Sequence, residues 1–254
     1  MLRGKNVIIT GARTGIGLAC LELFAQNGCN CWAVVHRQDE KFLSVCQQLS
    51  NNFNIWIEPV FIDLGSPEEV QTKMKEILKE KKTIDVLVNA AGIVSPSRLF
   101  SMTPIDDIRR VMEVNFFSAI EMSQLVIRSM MRQKKGNIIN IASISAYGED
   151  TSQMEYAASK AALICATKKL GRELGPFGIR VNAVAPGLTE TKMLDEFNEE
   201  KLQQMVSVLG LQRVGNPREI AQTVLFLASE NSSFITGETI KADGGGIDFR
   251  KMFS

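Results

Sequence analysis

Short apolar runs alternate with longer amphipathic segments along the whole chain of 254 residues. Runs of about four to eight apolar residues, rich in valine and isoleucine, are typical of β-strands that are buried on both faces. Strands that alternate with helical segments predict a parallel sheet covered by helices on both sides. Seven runs have this character: residues 7–10, 31–35, 55–62, 84–89, 137–143, 179–183 and 239–242. The pattern therefore predicts an α/β fold with a seven-stranded parallel sheet.

Several helix starts are marked by their polar residues. The pairs Ser66-Pro67 and Asn216-Pro217 each place a capping side chain before a proline, and an acidic residue follows three positions after the cap. A threonine and a proline at 103–104 predict a third start in the same way.

Composition narrows the possible function classes. The formal net charge is +1 and the lysines and arginines are scattered, which argues against a nucleic-acid-binding surface. No stretch approaches the roughly 18 apolar residues of a membrane span. The chain shows no internal repeat and no linker, and its length suits a single α/β domain. We therefore expect residues 1–254 to form one domain that binds neither nucleic acid nor membrane.

Cysteine and histidine usage limits the chemistry further. The five cysteines are an odd number without C-x-x-C spacing, and the only histidine is His36. These counts favour neither a disulfide framework nor a metal site, and they argue against histidine-based catalytic triads. We therefore expect reduced thiols, no bound metal and a cytoplasmic location.

The first predicted strand is followed by a turn with three glycines and then by an amphipathic segment. Glycines between a strand and a helix let the backbone approach a pyrophosphate, which the free amides at the helix start attract. The G-x-x-x-G-x-G spacing lacks the lysine of a P-loop. The alternative is a plain glycine-rich turn. The position favours a dinucleotide site formed by Gly11, Arg13, Thr14, Gly15, Ile16 and Gly17.

The end of the second predicted strand indicates which dinucleotide binds. His36 and Arg37 stand where an NAD-binding chain usually has an acidic residue for the ribose 2′-hydroxyl. An arginine suits a 2′-phosphate instead, and Arg13 in the glycine turn adds a second positive charge. We therefore predict NADP(H) as the cofactor, with contacts from these three residues. The alternative is that Arg37 is solvated and discriminates weakly.

Further polar and small residues follow the carboxyl ends of other strands, where open parallel sheets bind ligands. A Pro-Gly turn at such a strand end brings backbone and hydroxyl groups close to a bound ring. The polar segment 192–212 that comes next is either a lid over the substrate or a pair of surface helices. The residues predicted to contact the cofactor from these strand ends are Asp63, Leu64, Asn89, Ala90, Gly92, Pro186, Gly187, Thr189 and Thr191.

Tyr156 and Lys160 are four residues apart in a run of helix formers and therefore project from one helical face. A neighbouring ammonium favours the phenolate, so we expect Lys160 to lower the pKa of Tyr156 below its usual value of about 10. Such a tyrosine exchanges a proton with an alcohol oxygen. Ser143, at the end of an apolar strand, is able to hydrogen-bond the same oxygen. The alternative is a packing tyrosine with a solvated hydroxyl.

Asn115 is a polar residue in an otherwise apolar helical segment, where its amide either makes a local hydrogen bond or serves a ligand. The segment 116–131 carries a wide apolar surface, which indicates either deep burial or a subunit contact. The sequence alone does not decide the role of Asn115, nor whether the apolar surface of 116–131 is buried or forms a subunit contact.

Together, these motifs resemble those of the short-chain dehydrogenase/reductase family across essentially the whole chain. The resemblance implies a single-domain, doubly wound Rossmann fold and hydride transfer between nicotinamide and a carbonyl or alcohol carbon. It also implies homotetramers, or dimers, formed through the helices near 104–132 and 154–174. The matched features are the glycine turn, Asp63, residues 89–92, Asn115, Ser143, Tyr156, Lys160 and Pro186-Gly187, in the order and at the spacing of the family.

The resemblance further implies a role for each catalytic residue. Tyr156 acts as the general acid or base and Ser143 orients the reacting oxygen. Lys160 binds the nicotinamide ribose and lowers the pKa of Tyr156, and Asn115 holds a water in a proton relay. Ala90 departs from the asparagine that is common at its position in the family, and we expect little consequence.

Within the family, the chain most resembles the 3-oxoacyl-[acyl-carrier-protein] reductases of fatty acid biosynthesis, through residues 181–193 and 219–245. This resemblance implies an acyl thioester substrate and an acyl carrier protein as partner. Where these reductases have two basic docking residues, however, this chain has Lys134 and Phe177. One half of the basic patch is therefore missing.

Two acidic residues before Tyr156, Glu149 and Asp150, poorly suit an apolar acyl group if they face the pocket, although both are equally compatible with a solvent-facing position. Phe177 and these two acids shift weight towards a sugar, polyol or other small polar ketone, which is the alternative substrate. On the resemblance, the main expectation remains an NADP(H)-dependent oxidoreductase of a 3-oxoacyl thioester. A non-catalytic NADPH-binding regulator would tolerate loss of Tyr156 or Lys160, and both are present. A methyltransferase or another nucleotide-binding α/β enzyme would explain the glycine turn but not the tyrosine–lysine pair.

Overall fold

The computed structural model describes residues 2–148, 153–191, 194 and 198–246. Its centre is one sheet of seven parallel strands in the order β3-β2-β1-β4-β5-β6-β7. The predicted parallel sheet is therefore confirmed. The strands are β1 (Asn6–Thr10), β2 (Asn30–Val35), β3 (Ile57–Phe61), β4 (Val86–Asn89), β5 (Gly136–Ile141), β6 (Ile179–Pro186) and β7 (Thr239–Ala242).

Helices connect these strands and cover both faces of the sheet. A π-helical turn, Glu113–Phe117, joins α4 to α5. None of the helices in the described part of the chain has the length and apolar character needed to cross a membrane. The helices are α1 (Gly15–Gln26), α2 (Glu40–Phe53), α3 (Pro67–Lys79), α4 (Ile105–Met112), α5 (Ser118–Gln133), α6 (Met154–Leu174), α7 (Glu199–Ser207) and α8 (Pro217–Ala228).

The core consists of two apolar layers, one on each side of the sheet. Side chains alternate between the two faces of a strand, so Val7 and Ile9 contribute to one layer and Ile8 to the other. The first layer holds buried residues of α1, α2 and α8, and the second holds those of α3, α5 and α6. This is the doubly wound arrangement that the family resemblance implies.

The strand order places a crevice at the carboxyl end of β1. β1 pairs with β2 on one side and with β4 on the other, so the direction of winding reverses between β1 and β4. Ligands of open α/β sheets bind at such a reversal, outside the carboxyl ends of the strands. The connections that follow β1, β2, β4, β5 and β6 all leave the sheet at this edge.

Two of the three predicted helix starts are formed as expected. Ser66 accepts a hydrogen bond from the Glu69 amide, and Asn216 forms a capping box with Glu219. The third differs, because the Thr103 hydroxyl donates to the Leu99 carbonyl instead of capping α4. Helix α4 consequently begins at Ile105, behind an extended proline.

Strand ends differ from the sequence prediction by one to three residues. β3 begins two residues later than predicted, because α2 extends to Phe53 and Asn54 closes it in the left-handed conformation (φ 52°). β6 extends beyond the predicted end at residue 183 to Pro186, because it pairs with β7 through Ala242. These differences leave the order of the elements unchanged.

Removal of the Asn216 cap should weaken the packing of α8 against α1. We expect Asn216→Ala to lower the free energy of unfolding by about 1 kcal/mol, because backbone amides at the start of α8 lose their acceptor. For a chain of this size the melting temperature should fall by about 2–4 °C. Urea unfolding measures the change, with Asn216→Ser as the control that retains a capping oxygen. Equal stabilities of the Ala and Ser variants would contradict this role.

Candidate active site

The glycine turn after β1 is packed so tightly that it admits no side chains at two positions. Gly11 has a positive φ of 68°, and a Cβ there would lie 2.8 Å from the Cα of Ala91. A Cβ on Gly17 would overlap the carbonyl oxygen of Gly11. The turn therefore presents bare backbone to the crevice. This cradle fits a pyrophosphate, and the Thr14 side chain makes no capping hydrogen bond that would occupy the first amides of α1.

The loops after β4 and β6 pack against this turn. The Thr10 hydroxyl accepts hydrogen bonds from the amides of Ala90 and Ala91, each at 3.0 Å. A Cβ on Gly15 would lie 3.1 Å from the Cγ2 atom of Thr191, which places the loop after β6 beside the turn. The structure thus brings the predicted cofactor residues after β1, β4 and β6 into one crevice.

The loop after β6 is ordered by backbone and hydroxyl contacts. The Gly187 amide donates to the Ala242 carbonyl, and a Cβ on Gly187 would lie 2.7 Å from the Cα of Asp243. The Thr189 hydroxyl donates to the Gly187 carbonyl. The Pro186-Gly187 turn therefore lies against the end of β7. In the segment 192–212, for which a lid and a pair of surface helices are the two alternatives, α7 has no buried side chain. Residues 192, 193 and 195–197 of this segment lie outside the described range. The two acids before Tyr156, Glu149 and Asp150, also lie outside it.

The side chain of Asn89, which was predicted to contact the cofactor, points into the interior of the protein. Its side chain is buried and donates to Asn140 Oδ1 at 2.8 Å and to Ser123 Oγ at 3.3 Å. The side chain thus ties β4 to β5 and α5. Only the backbone of Asn89 is left to contact a cofactor.

The corner at the carboxyl end of β2 holds three of the predicted cofactor residues and one that sequence reasoning missed. His36 Nε2 lies 3.5 Å from Asp63 Oδ2. Arg37 is exposed and forms no ion pair with any described residue. Arg13, expected to be a second free positive charge, instead forms an ion pair with Asp39 at 3.0 Å. We call Arg13, His36, Arg37 and Asp39 the 2′-phosphate corner.

Asp63 lies on this side of the crevice beside His36 and is followed by the buried Leu64. Asp63 Oδ1 accepts a hydrogen bond from the Gly65 amide at 2.9 Å, and the Asp63 amide donates to Glu69. Leu64 is buried in the core layer with α3 and α5. Asp63 is therefore fixed by its own loop and remains partly exposed beside His36.

The tyrosine and lysine of α6 meet above the end of β5. Lys160 Nζ lies 5.7 Å from the ring centroid of Tyr156. The ammonium is buried and donates to the Ile141 carbonyl at 2.8 Å. Ser143, two residues beyond β5, is buried; its hydroxyl donates to Ser145 Oγ at 3.0 Å and lies beside the Tyr156 phenol, whose pKa it lowers. The predicted convergence of Ser143, Tyr156 and Lys160 is thus present in the structure.

The expected effect of Lys160 on the Tyr156 pKa is wrong for the free protein. Burial raises the pKa of Tyr156 above its ordinary value, and the hydrogen bond with Ser143 offsets only part of this rise. Burial also lowers the pKa of Lys160 to about 8. The physical reason is that Lys160 points its Nζ at the Ile141 carbonyl and the face of the ring. Desolvation then dominates both groups.

Asn115 lies in the π-helical turn between α4 and α5 and makes a full set of hydrogen bonds. Its Oδ1 accepts from the Ile93 amide, and its Nδ2 donates to the Ile93 carbonyl and to Ser159 Oγ. A Cβ on Gly92 would lie 3.3 Å from Lys160 Nζ and 3.4 Å from Asn115 Oδ1. Asn115 therefore joins the loop after β4 to α6, next to the lysine. The local hydrogen bond, one of the two alternatives from sequence, is what the structure shows.

Sequence reasoning also missed a buried acid beside the tyrosine. Glu155 is 2% exposed, and its carboxylate accepts a hydrogen bond from the buried Ser95 hydroxyl. Gln153 Nε2 donates to the Ser95 carbonyl at 3.2 Å. These contacts fix the start of α6 against the loop after β4. The available signal was an acidic residue directly before Tyr156, in a segment of mostly small residues at the start of α6.

No group of three or more histidine, cysteine, aspartate or glutamate side chains in the described ranges is placed to hold a metal ion. The arrangement instead supports acid–base chemistry. A protonated phenol, a serine hydroxyl and a buried amine face one crevice beside a backbone cradle for a pyrophosphate. Such a set can polarise and protonate the oxygen of a carbonyl.

Comparison with known proteins gives full-length matches. Residues 11–246 match the family described as Enoyl-(Acyl carrier protein) reductase. The chain is 36% identical over 244 residues to the 3-oxoacyl-[acyl-carrier-protein] reductase FabG of Aquifex aeolicus, covering 96% of this chain and 98% of that protein. It is also 36% identical over 244 residues to FabG of Vibrio cholerae, with the same coverage.

A solved structure supports the same relationship. The crystal structure of a protein described as an NAD(P)-dependent gluconate 5-dehydrogenase from Beutenbergia cavernae, with bound NADP at low occupancy, superposes with a TM-score of 0.89. It is 28% identical in sequence, and the match covers 96% of this chain and 97% of that one.

The buried Lys160 predicts a pH-dependent stability difference. Its pKa is about 8 in the folded protein and about 10.4 in the unfolded chain, so below pH 8 the cost of burying the ammonium is fully present. Between about pH 8 and 10 the folded state releases its proton first and the cost is relieved. Relative to Lys160→Met, the wild type should gain about 2–3 kcal/mol of unfolding free energy over this range.

Urea unfolding of both proteins at several pH values measures this gain. Lys168→Met, which removes an exposed lysine of the same helix, is the control and should show a difference from wild type that does not vary with pH. A Lys160→Met difference that is equally independent of pH would contradict the burial argument.

Proposed function

The chain belongs to the short-chain dehydrogenase/reductase family, and on that premise we propose that it is an NADPH-dependent 3-oxoacyl-[acyl-carrier-protein] reductase. The observation that carries the proposal is the near-complete coverage of FabG relatives, together with Ser143, Tyr156 and Lys160 around one crevice. The NADP-bound structural relative supports the cofactor. We also propose a cytoplasmic location, in keeping with the five free cysteines.

The cofactor supplies a hydride to the carbonyl carbon when it is bound. The residues that fit its pyrophosphate are those of the glycine turn and the start of α1, and the 2′-phosphate corner suits its phosphate. Asp63, Leu64, the backbone of residues 89–92 and the loop from Pro186 to Thr191 border the rest of the crevice. We propose that Lys160 binds the nicotinamide ribose and that Asn115 supports a proton relay.

The protonated state of Tyr156 suits the role of proton donor when a carbonyl is reduced. Because burial raises its pKa, the phenol is protonated at neutral pH. A protonated phenol donates a proton to the oxygen of a carbonyl that accepts a hydride at carbon, which is the role of a general acid. Ser143, whose hydroxyl lies beside the phenol, is placed to orient that oxygen.

An oxidoreductase of a sugar, polyol or other small polar ketone is the second candidate. The observation that favours it is the structural similarity to a protein described as a gluconate 5-dehydrogenase. The two candidates share the cofactor and the Ser143, Tyr156 and Lys160 chemistry, so the substrate alone distinguishes them. A purely regulatory NADPH-binding role is disfavoured by the intact catalytic set.

An acyl carrier protein is the proposed partner. Lys134 ends α5 in the left-handed conformation, and its carbonyl contacts Gly178, the residue that follows the turn Gly175–Phe177. Phe177 is 41% exposed. The lysine and the phenylalanine thus occupy one exposed region, and Lys134 is the one basic residue at the two positions where the family is expected to have basic residues.

We also propose a homotetramer, or a dimer, built through α4, α5 and α6. The segment 116–131 is buried along one side, by Met122, Val126 and Met130, while Phe117 at its start is 51% exposed. Further exposed apolar residues precede α4, among them Phe100 and Met102 at 69% each. Their burial against a second copy of the chain would explain this excess of apolar surface.

A substrate screen with NADPH oxidation as the readout tests the proposal. We expect acetoacetyl thioesters to be reduced faster than keto-sugars and small diketones. Tyr156→Phe should lower turnover by at least about 100-fold, because the proton donor is lost, and should leave NADPH binding intact. Tyr147→Phe removes the other tyrosine of the chain, which lies against Lys241, and should retain turnover within about threefold.

Faster reduction of keto-sugars would favour the second candidate. If Tyr156→Phe abolished NADPH binding while turnover per bound cofactor remained, the catalytic assignment of the tyrosine would fail.

The carrier-protein proposal predicts a gain of function. Phe177→Arg should raise kcat/KM for an acyl-carrier-protein thioester by about three- to tenfold, because a second cation complements the acidic carrier. The same variant should leave reduction of a free acetoacetyl thioester unchanged. Phe53→Arg, which adds a charge at the end of α2 on the opposite layer, is the matched control. Equal effects of both variants, or none for Phe177→Arg, would contradict docking at this region.

A further inference from the structure

The two arginines of the 2′-phosphate corner are in different electrostatic situations. Arg37 is exposed and forms no ion pair within the described ranges. Arg13 is bound through Nη1 to Asp39 Oδ2 at 3.0 Å. The Ala12 amide donates to the Val34 carbonyl, so the turn that carries Arg13 is fixed to the end of β2. Both cations therefore belong to one corner, but only one is free.

Asp39 is held in place by a second set of bonds. Its Oδ1 accepts hydrogen bonds from the amides of Lys41 at 3.0 Å and Phe42 at 3.2 Å, which makes it the N-cap of α2. Each carboxylate oxygen thus has a separate partner. The carboxylate cannot turn away from Arg13 without giving up the cap.

The carboxylate is ionised at neutral pH. The hydrogen bond from Arg13, followed by those from the Phe42 and Lys41 amides, lowers the pKa of Asp39 below its usual value. A fixed anion consequently lies where a phosphate monoester carrying about 1.5 to 2 negative charges is expected to bind. The ion pair occupies Nη1 of Arg13 and offsets part of its positive charge, so Arg13 attracts a phosphate less strongly than a free arginine would.

We propose that Asp39 is a specificity-determining residue that weakens binding of the 2′-phosphate by holding Arg13, so that Arg37 provides most of the discrimination between NADP and NAD. This inference rests on the proposed function, because it concerns the cofactor of that site. Exposed ion pairs are weak, so Asp39 moderates the preference for NADP and does not abolish it. The chain then retains measurable use of NAD.

Titration calorimetry with NADP+ and NAD+ tests the proposal without relying on turnover. Asp39→Asn keeps a capping oxygen for α2 but removes the charge that holds Arg13. We expect its Kd for NADP+ to fall about three- to fivefold, while its Kd for NAD+ stays within twofold of the wild-type value. Asp39→Ser, another good N-cap, should behave in the same way and provides a second variant if one folds poorly.

Two controls isolate the coupling between Asp39 and Arg13. In an Arg13→Gln background, Asp39→Asn should no longer change the affinity for NADP+. Asp106→Asn, which removes the partner of Arg109 in an exposed ion pair of α4, should leave both Kd values unchanged.

The results separate the inference from the proposed function. If Asp39→Asn and Asp39→Ser, both folded, raise the ratio of NAD+ to NADP+ Kd less than twofold, the inference is overturned. It is also overturned if Asp39→Asn lowers the Kd for NADP+ as much in the Arg13→Gln background as in the wild type. If the wild type binds neither dinucleotide, the proposed function itself fails and takes the inference with it.

Discussion

The buried ammonium of Lys160 is the constraint on which the rest of the site depends. A lysine side chain loses much of its hydration in the interior, and here burial lowers its pKa to about 8. Its Nζ donates a hydrogen bond to the Ile141 carbonyl at 2.8 Å. This bond requires α6 to lie directly over the end of β5, which is also what brings Tyr156 to Ser143. The position of α6 that buries Lys160, at a cost in free energy, is therefore the same position that brings Tyr156 and Ser143 together.

Other contacts fix the position of α6 relative to the cofactor crevice. Asn115 links the loop after β4 to Ser159 of α6, and the buried Glu155 links the same loop, through Ser95, to the start of α6. The Thr10 hydroxyl ties the loop after β4 to the end of β1. The glycine turn and Tyr156 are thus parts of one connected unit. A reaction that needs a hydride at carbon and a proton at oxygen requires such a fixed relation between the two.

The elements and the convergence of Ser143, Tyr156 and Lys160 were predictable from sequence, and the electrostatics of the site were not. Strands buried on both faces give continuous apolar runs, and the tyrosine–lysine spacing of four fixes a common helical face whatever the tertiary structure. The direction of the Tyr156 pKa shift depends instead on burial by segments distant in sequence. The Arg13–Asp39 pair and the inward position of Asn89 likewise depend on contacts across 26 and 51 residues. Spacing along one element carries no information about such partners.

The most direct test of the account is a crystal structure of the protein with NADP+ bound. We predict that the pyrophosphate lies on the glycine turn and that the hydroxyls of the nicotinamide ribose lie within hydrogen-bond distance of Tyr156 and Lys160. The nicotinamide ring should then share the crevice with Ser143. A dinucleotide bound elsewhere, or bound with its nicotinamide end turned away from Tyr156 and Lys160, would contradict the claim that these groups form one catalytic centre.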